Sequence, residues 1–107
     1  MTYDATMVAP GPFTSTQVTT PSSGSTVNSD GSNAMFINNA ALLAVLTVVF
    51  PGSPKDGQVF SMSTRSAITL LTMSATPPIY GGLTSMLAAG YARYIYSSVA
   101  GAWFRFG

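Results

Sequence analysis

The sequence predicts an all-β fold: a small antiparallel β-sandwich, jelly-roll-like or barrel-like, behind an extended N-terminal arm. Three observations carry this expectation. From Asn33 onward, short runs of apolar, β-branched and aromatic residues are separated by turn signals at intervals of about 8–12 residues. Residues 1–32 are instead rich in Ser, Thr, Pro and Gly and hold neither a helical nor an alternating apolar pattern. The aromatic residues Tyr91, Tyr94, Tyr96, Trp103, Phe104 and Phe106 crowd the C-terminal end with strand-like alternation.

The arm cannot bury a core by itself. Tyr3, Met7 and Phe13 are spaced along it as anchors, and the expectation is that they dock on a neighbouring subunit. The β-domain covers residues 33–107. Its first candidate strand is Asn33–Ile37, ending at the turn Asn38–Asn39. Leu42–Phe50 follows. Ala and Leu favour helix in its first half, whereas Val45, Thr47, Val48, Val49 and Phe50 favour strand. This run is apolar on both faces, unlike an antiparallel strand with one wet face. One face is expected to meet the domain's own core. The other is expected to meet another subunit, which makes Leu43, Val45 and Val49 candidate contacts.

Pro51–Gly57 reads as a loop, with two prolines and an Asp-Gly step. Gln58–Thr64 alternates weakly. In Ala67–Ser74, strict alternation would put Ile68, Leu70 and Thr72 on one face and Ala67, Thr69, Leu71 and Met73 on the other. Thr76-Pro77-Pro78 breaks the chain before a short edge piece at Ile79–Tyr80, and Leu83–Ala89 fits either a turn of helix or a strand. In Tyr91–Ser97, Tyr91, Arg93 and Ile95 face one way and Ala92, Tyr94 and Tyr96 the other. The last strand is Ala102–Phe106, with Trp103 and Arg105 opposite Phe104 and Phe106. No internal repeat is evident.

Charge is scarce. The chain of 107 residues carries four Lys or Arg, three Asp or Glu and no His, a charged fraction of 7% against about 25% in ordinary soluble domains. A surface so poor in charge is expected where copies or partners cover it. A net charge of +1 offers no footing for nucleic acid. The longest apolar run, Ala40–Phe50, is shorter than the ~20 residues of a membrane span. Met1–Pro10 lacks the basic and apolar regions of a secretory signal.

Catalytic parts are also scarce. Without His or Cys, and with Asp4, Asp30 and Asp56 scattered, no acid–base pair, thiolate site or calcium loop is expected. Neither a cofactor nor an enzymatic activity is expected. Arg93 and Arg105 stand mid-strand among aromatics. They are candidates for stacking on rings or for bridging to Asp30 or Asp56 of another subunit.

The turn Pro51-Gly52-Ser53-Pro54-Lys55-Asp56-Gly57-Gln58, the Thr-rich strand with Thr69 and Thr72, and the ending Tyr94-x-Tyr96…Gly101-x-Trp103-x-Arg105 resemble a β-sandwich module of tailed-bacteriophage virion proteins. The resemblance spans Pro51 to Phe106. It implies a homotrimer placed on the virion after assembly in the host cytoplasm, and it brings no catalytic residues. The short stretch between Met1 and Pro51 leaves little room for a fibre shaft. The expected role is therefore a capsid decoration or cement protein that contacts itself and the major capsid protein. The alternative is a fibre head recognising a host glycan through the loops at Pro51–Gly57 and Pro77–Gly82.

Overall fold

The computed structural model describes residues 15–107. All nine elements are strands: β1 (Thr16–Thr19), β2 (Ser25–Asn28), β3 (Ala34–Ile37), β4 (Leu43–Val49), β5 (Val59–Thr64), β6 (Ile68–Ser74), β7 (Ile79–Tyr80), β8 (Tyr91–Ser97) and β9 (Ala102–Arg105). The all-β expectation holds for these residues, and no helix occurs among them.

The sandwich and barrel expectations do not hold. The chain alternates between two sheets, one ordered β1-β3-β5-β8-β9-β7 and the other β2-β4-β6. Successive visits to the same sheet pair in parallel: β1 with β3, β3 with β5, β2 with β4 and β4 with β6. This is a β-solenoid-like coil of three turns (β1–β2, β3–β4, β5–β6). Each turn contributes one strand to each sheet, and the core lies between them.

Residues 15–32 correct the arm boundary. They supply the first turn of the coil, with Thr16–Thr19 paired to Ala34–Ile37 and Ser25–Asn28 paired to Leu46–Val49. Their low hydropathy had hidden two short strands that each bury little. Val27 is the one buried apolar residue in β1 and β2.

Pairing in register stacks like on like. Leu43 lies on Ile68 and Leu46 on Leu71 inside the coil; Thr26, Thr47 and Thr72 form a row outside it. In both β4 and β6 the first two inward residues are three apart, with two exposed residues between them. Strict alternation therefore fails in β6, where Ile68 and Leu71 are buried while Thr69, Leu70 and Thr72 face out.

The corners are built from residues with turn chemistry. At Ser29–Asn33, Asp30 Oδ1 accepts the Ser32 amide at 2.9 Å, and Gly31 has φ of +94°, a left-handed conformation that glycine adopts without strain. Hydrogen bonds from the Ser32 side chain and from its amide hold the Asp30 carboxyl below its ordinary value. At the next corner Asn39, only 4% exposed, ties the chain together. Its amide donates to the Ala41 and Ser66 carbonyls at 3.2 Å, and its Oδ1 accepts the Ser66 amide at 3.0 Å.

The C-terminal end of the coil is closed. The hairpin β8–β9 runs antiparallel against β5, and Met86 bridges to Ile68 beside β6. Gly81 lets the cap close, because a Cβ there would stand 2.7 Å from Arg105 Cβ. Beneath the cap, Phe50 from the end of β4 meets Phe60, Tyr94 and Trp103 at centroid distances of 4.8, 5.1 and 5.4 Å. Leu42–Phe50 pairs with neither of the last two strands: β4 lies between β2 and β6, and Phe50 meets the rings of β8 and β9 across the core.

Candidate interaction surface

Among the described residues, the outer face of the six-stranded sheet carries most of the exposed large apolar side chains. Its rows follow from register. Val18, Phe36, Ser63 and Tyr91 lie side by side across β1, β3, β5 and β8. Val59, Ile95, Phe104 and Tyr80 form a second row across β5, β8, β9 and β7. Between them runs a row of smaller side chains, Thr16, Ala34 and Ser61, ending at Arg93.

The large side chains of this face stand in solvent. Phe36 is 43% exposed, Tyr80 56%, Tyr91 62%, Phe104 38% and Phe106 47%. With full exposures of about 200 Å² per ring, these five present on the order of 500 Å² of aromatic surface. That matches the largest apolar patch of a typical monomer, about 300–600 Å², before Val18 and Ile95 are added.

The face has relief. A hollow of about 280 Å³ is floored by Ala34, Ser61 and Ser63 and walled by Phe36, Tyr91 and Arg93. One and two strands beyond β8, Phe104 and Tyr80 stack at a centroid distance of 5.2 Å and form a ridge. Charge on the face is sparse: Arg93, with its guanidinium 4.8 Å from the centre of the Phe106 ring, and Arg65 at the edge beside Phe36 and Ser63.

The residues singled out from sequence fall in different places. Tyr3, Met7 and Phe13 lie outside the described residues. Leu43 is buried in the coil, so it cannot be a contact; its neighbours Val45 and Val49 face outward from the three-stranded sheet. Arg93 is on the aromatic face, alongside Tyr91 and Ile95 as alternation had indicated. Arg105 points the other way, beside Tyr94, with Nε donating to the Gly107 carbonyl at 3.0 Å. The two arginines therefore do not share a site. Of their suggested partners, Asp30 serves its own turn, and Asp56 Oδ1 accepts the Ser98 amide in the turn between β8 and β9 at 2.9 Å.

Sequence reasoning missed Val18, Phe36 and Tyr80 as members of this surface. Each sits on a different segment, and only the parallel register brings them beside Tyr91 and Phe104. The available signal was the outward phase of Phe36 between the inward Met35 and Ile37.

Tyr94 supports the surface from below. Its hydroxyl donates to the Gly81 carbonyl at 2.9 Å, holding the loop after β7 against β8. Burial pushes the phenol above its ordinary value, with the Arg105 charge opposing the shift. A raised native pKa stabilises the fold fully below the unfolded value of about 10, and that contribution is lost as pH rises through the native value. The urea midpoint is therefore expected to fall as pH rises above about 10. Tyr94→Phe should flatten that part of the profile, and a parallel fall in the variant would contradict the assignment.

Among the described residues no three His, Cys, Asp or Glu come together as metal ligands, and no helix is long and apolar enough to cross a membrane. No protein-family model matches the chain, and no curated protein matches it.

Proposed function

We propose that this chain is a structural virion protein, a capsid decoration or cement subunit that stabilises a phage head through non-covalent contacts, working as a homotrimer on the major capsid protein. The observation that supports this reading most is the aromatic outer face of the six-stranded sheet. An apolar surface at the upper end of what monomers expose is often a contact site. The scarcity of charge over the whole chain points the same way.

A second reading, the tip of a fibre that binds a host glycan, is favoured by the ends of the coil. Among the described residues the C-terminal end is closed by β8, β9 and the Met86 bridge, while β1 and β2 are the outermost strands at the other end. A unit closed at one end suits the end of a rod.

Copy number separates the two. Quantitative mass spectrometry of purified particles, scaled to the major capsid protein, should find hundreds of copies for a cement subunit and tens or fewer for a fibre tip. Absence from particles would sink both readings.

A further inference from the structure

We propose that copies of this chain meet through the outer face of the six-stranded sheet, the stacked rings of Tyr80 and Phe104 on one copy entering the hollow between Phe36 and Tyr91 on the next. The inference takes from the reading above only that the chain associates with itself. It adds which face does so and through which side chains.

Size is the first argument. A stable interface buries about 800 Å² on each partner. The five exposed rings supply most of that, Val18, 64% exposed, extends the patch at the β1 edge, and Ile95 fills it between Val59 and Phe104. The outer face of the other sheet offers far less. Val45 and Leu70 are its exposed large apolar residues, and they stand beside the threonine row of Thr26, Thr47 and Thr72.

Charge decides the chemistry of the occupant. The charges of this face are Arg93, beside the Phe106 ring, and Arg65 at the edge next to Val18, Phe36 and Ser63. A strongly charged partner would leave the aromatic rings between them unmatched. The occupant must itself be apolar, aromatic and poor in charge, and this same face has those properties.

Shape makes the face complementary to itself. A cavity of about 150 Å³ holds a benzene ring, so the hollow of about 280 Å³ accepts one with room to spare. The ridge and the hollow lie on opposite halves of one sheet. β5 and the β9–β7 pair are two to three strand spacings apart, about 12 Å at ~4.8 Å per strand. A rigid sheet cannot seat its own ridge in its own hollow, but a rotated copy can. Each copy then gives its ridge to one neighbour and receives a ridge in its hollow, and rotation closes the set.

The test uses the full chain, with mass measured by light scattering after size exclusion and folding checked by circular dichroism. The wild type is expected to run as a multimer. Ser63→Lys fills and charges the hollow, and Phe104→Glu charges the ridge. Each alone is expected to weaken association about 30-fold or more while keeping the β spectrum, as loss of a central aromatic contact does. Mixed together, the two variants should associate again, because lysine and glutamate then meet across the contact. Leu70→Glu, on the other sheet, should leave the mass unchanged.

A monomeric wild type, wild-type association by both variants, or dissociation by Leu70→Glu would overturn the proposal. So would a chain lacking residues 1–14 that associates when the full chain does not, since that segment would then be what covers the face. Each of these results leaves the virion reading to the copy count, which does not depend on the face used.

Discussion

Replacing Phe50 with alanine is expected to cost about 4 kcal/mol, a large share of the protein's stability. Removal of a buried phenylalanine costs about 3–5 kcal/mol, and a domain of this size has roughly 5–15 kcal/mol in total. Phe50 is 2% exposed and lies at the centre of a ring cluster with Phe60, Tyr94 and Trp103. It joins the two sheets, so its loss opens a cavity under the cap as well as removing contacts. Phe50→Leu keeps most of the volume and should cost less than about 1.5 kcal/mol. The chain has a single tryptophan, and Trp103 is one of the rings that Phe50 touches. Urea unfolding followed by its fluorescence reads the effect directly. A cost below about 1 kcal/mol for Phe50→Ala would mean that the sheets do not meet through this cluster.

Asn39→Ala is the second large effect, expected at about 3 kcal/mol from the polar groups it strands. With the side chain gone, the Ser66 amide and the Ala41 and Ser66 carbonyls lose their partners in a buried corner, and each such group costs roughly 1–3 kcal/mol. The Thr64 hydroxyl has one proton, which goes to Ser66 O at 2.6 Å or Asn39 Oδ1 at 3.0 Å, so it softens the loss by bonding the former. Asn39→Asp gives a sharper signature. It sets carboxylate oxygens against two carbonyls, which favours the protonated acid and raises its native pKa. That variant should be more stable below the unfolded value of about 4 and weaken as pH rises through the native one. Thermal melts of both variants at acidic and neutral pH check the magnitude and the sign. Equal losses at both pH values in Asn39→Asp would mean that the corner does not depend on the amide's donors.

Much of the strand content was legible because turn chemistry and β-branched runs are local. Asn33–Ile37, Leu42–Phe50, Ala67–Ser74, Tyr91–Ser97 and Ala102–Phe106 each contain an observed strand. Strand direction was not legible, since side chains alternate in the same way whether the neighbour runs parallel or antiparallel. The coil did leave a trace in the repeated Thr26-Val27, Thr47-Val48 and Thr72-Met73, which stack in register. The trace is two residues long and recurs at unequal spacing, because the corners of the coil differ in length. A search for a fixed period passes over it. The aromatic face was half legible. Tyr91, Arg93 and Ile95 declare their side within one strand, whereas Val18, Phe36 and Tyr80 join them only through pairing over long separations.

The asymmetry of the coil has a consequence for how it comes apart. β8 and the Met86 segment hold the last turn from outside, but among the described residues the first turn is held from one side only, and Val27 is its single buried apolar side chain. In a stack where each turn leans on its neighbours, opening is cheapest at the least supported end and must pass through it before reaching the middle. The coil therefore frays directionally. Amides of β1 and β2 exchange with solvent first, those of β3 and β4 next, and the ring cluster under the cap is the last element to let go.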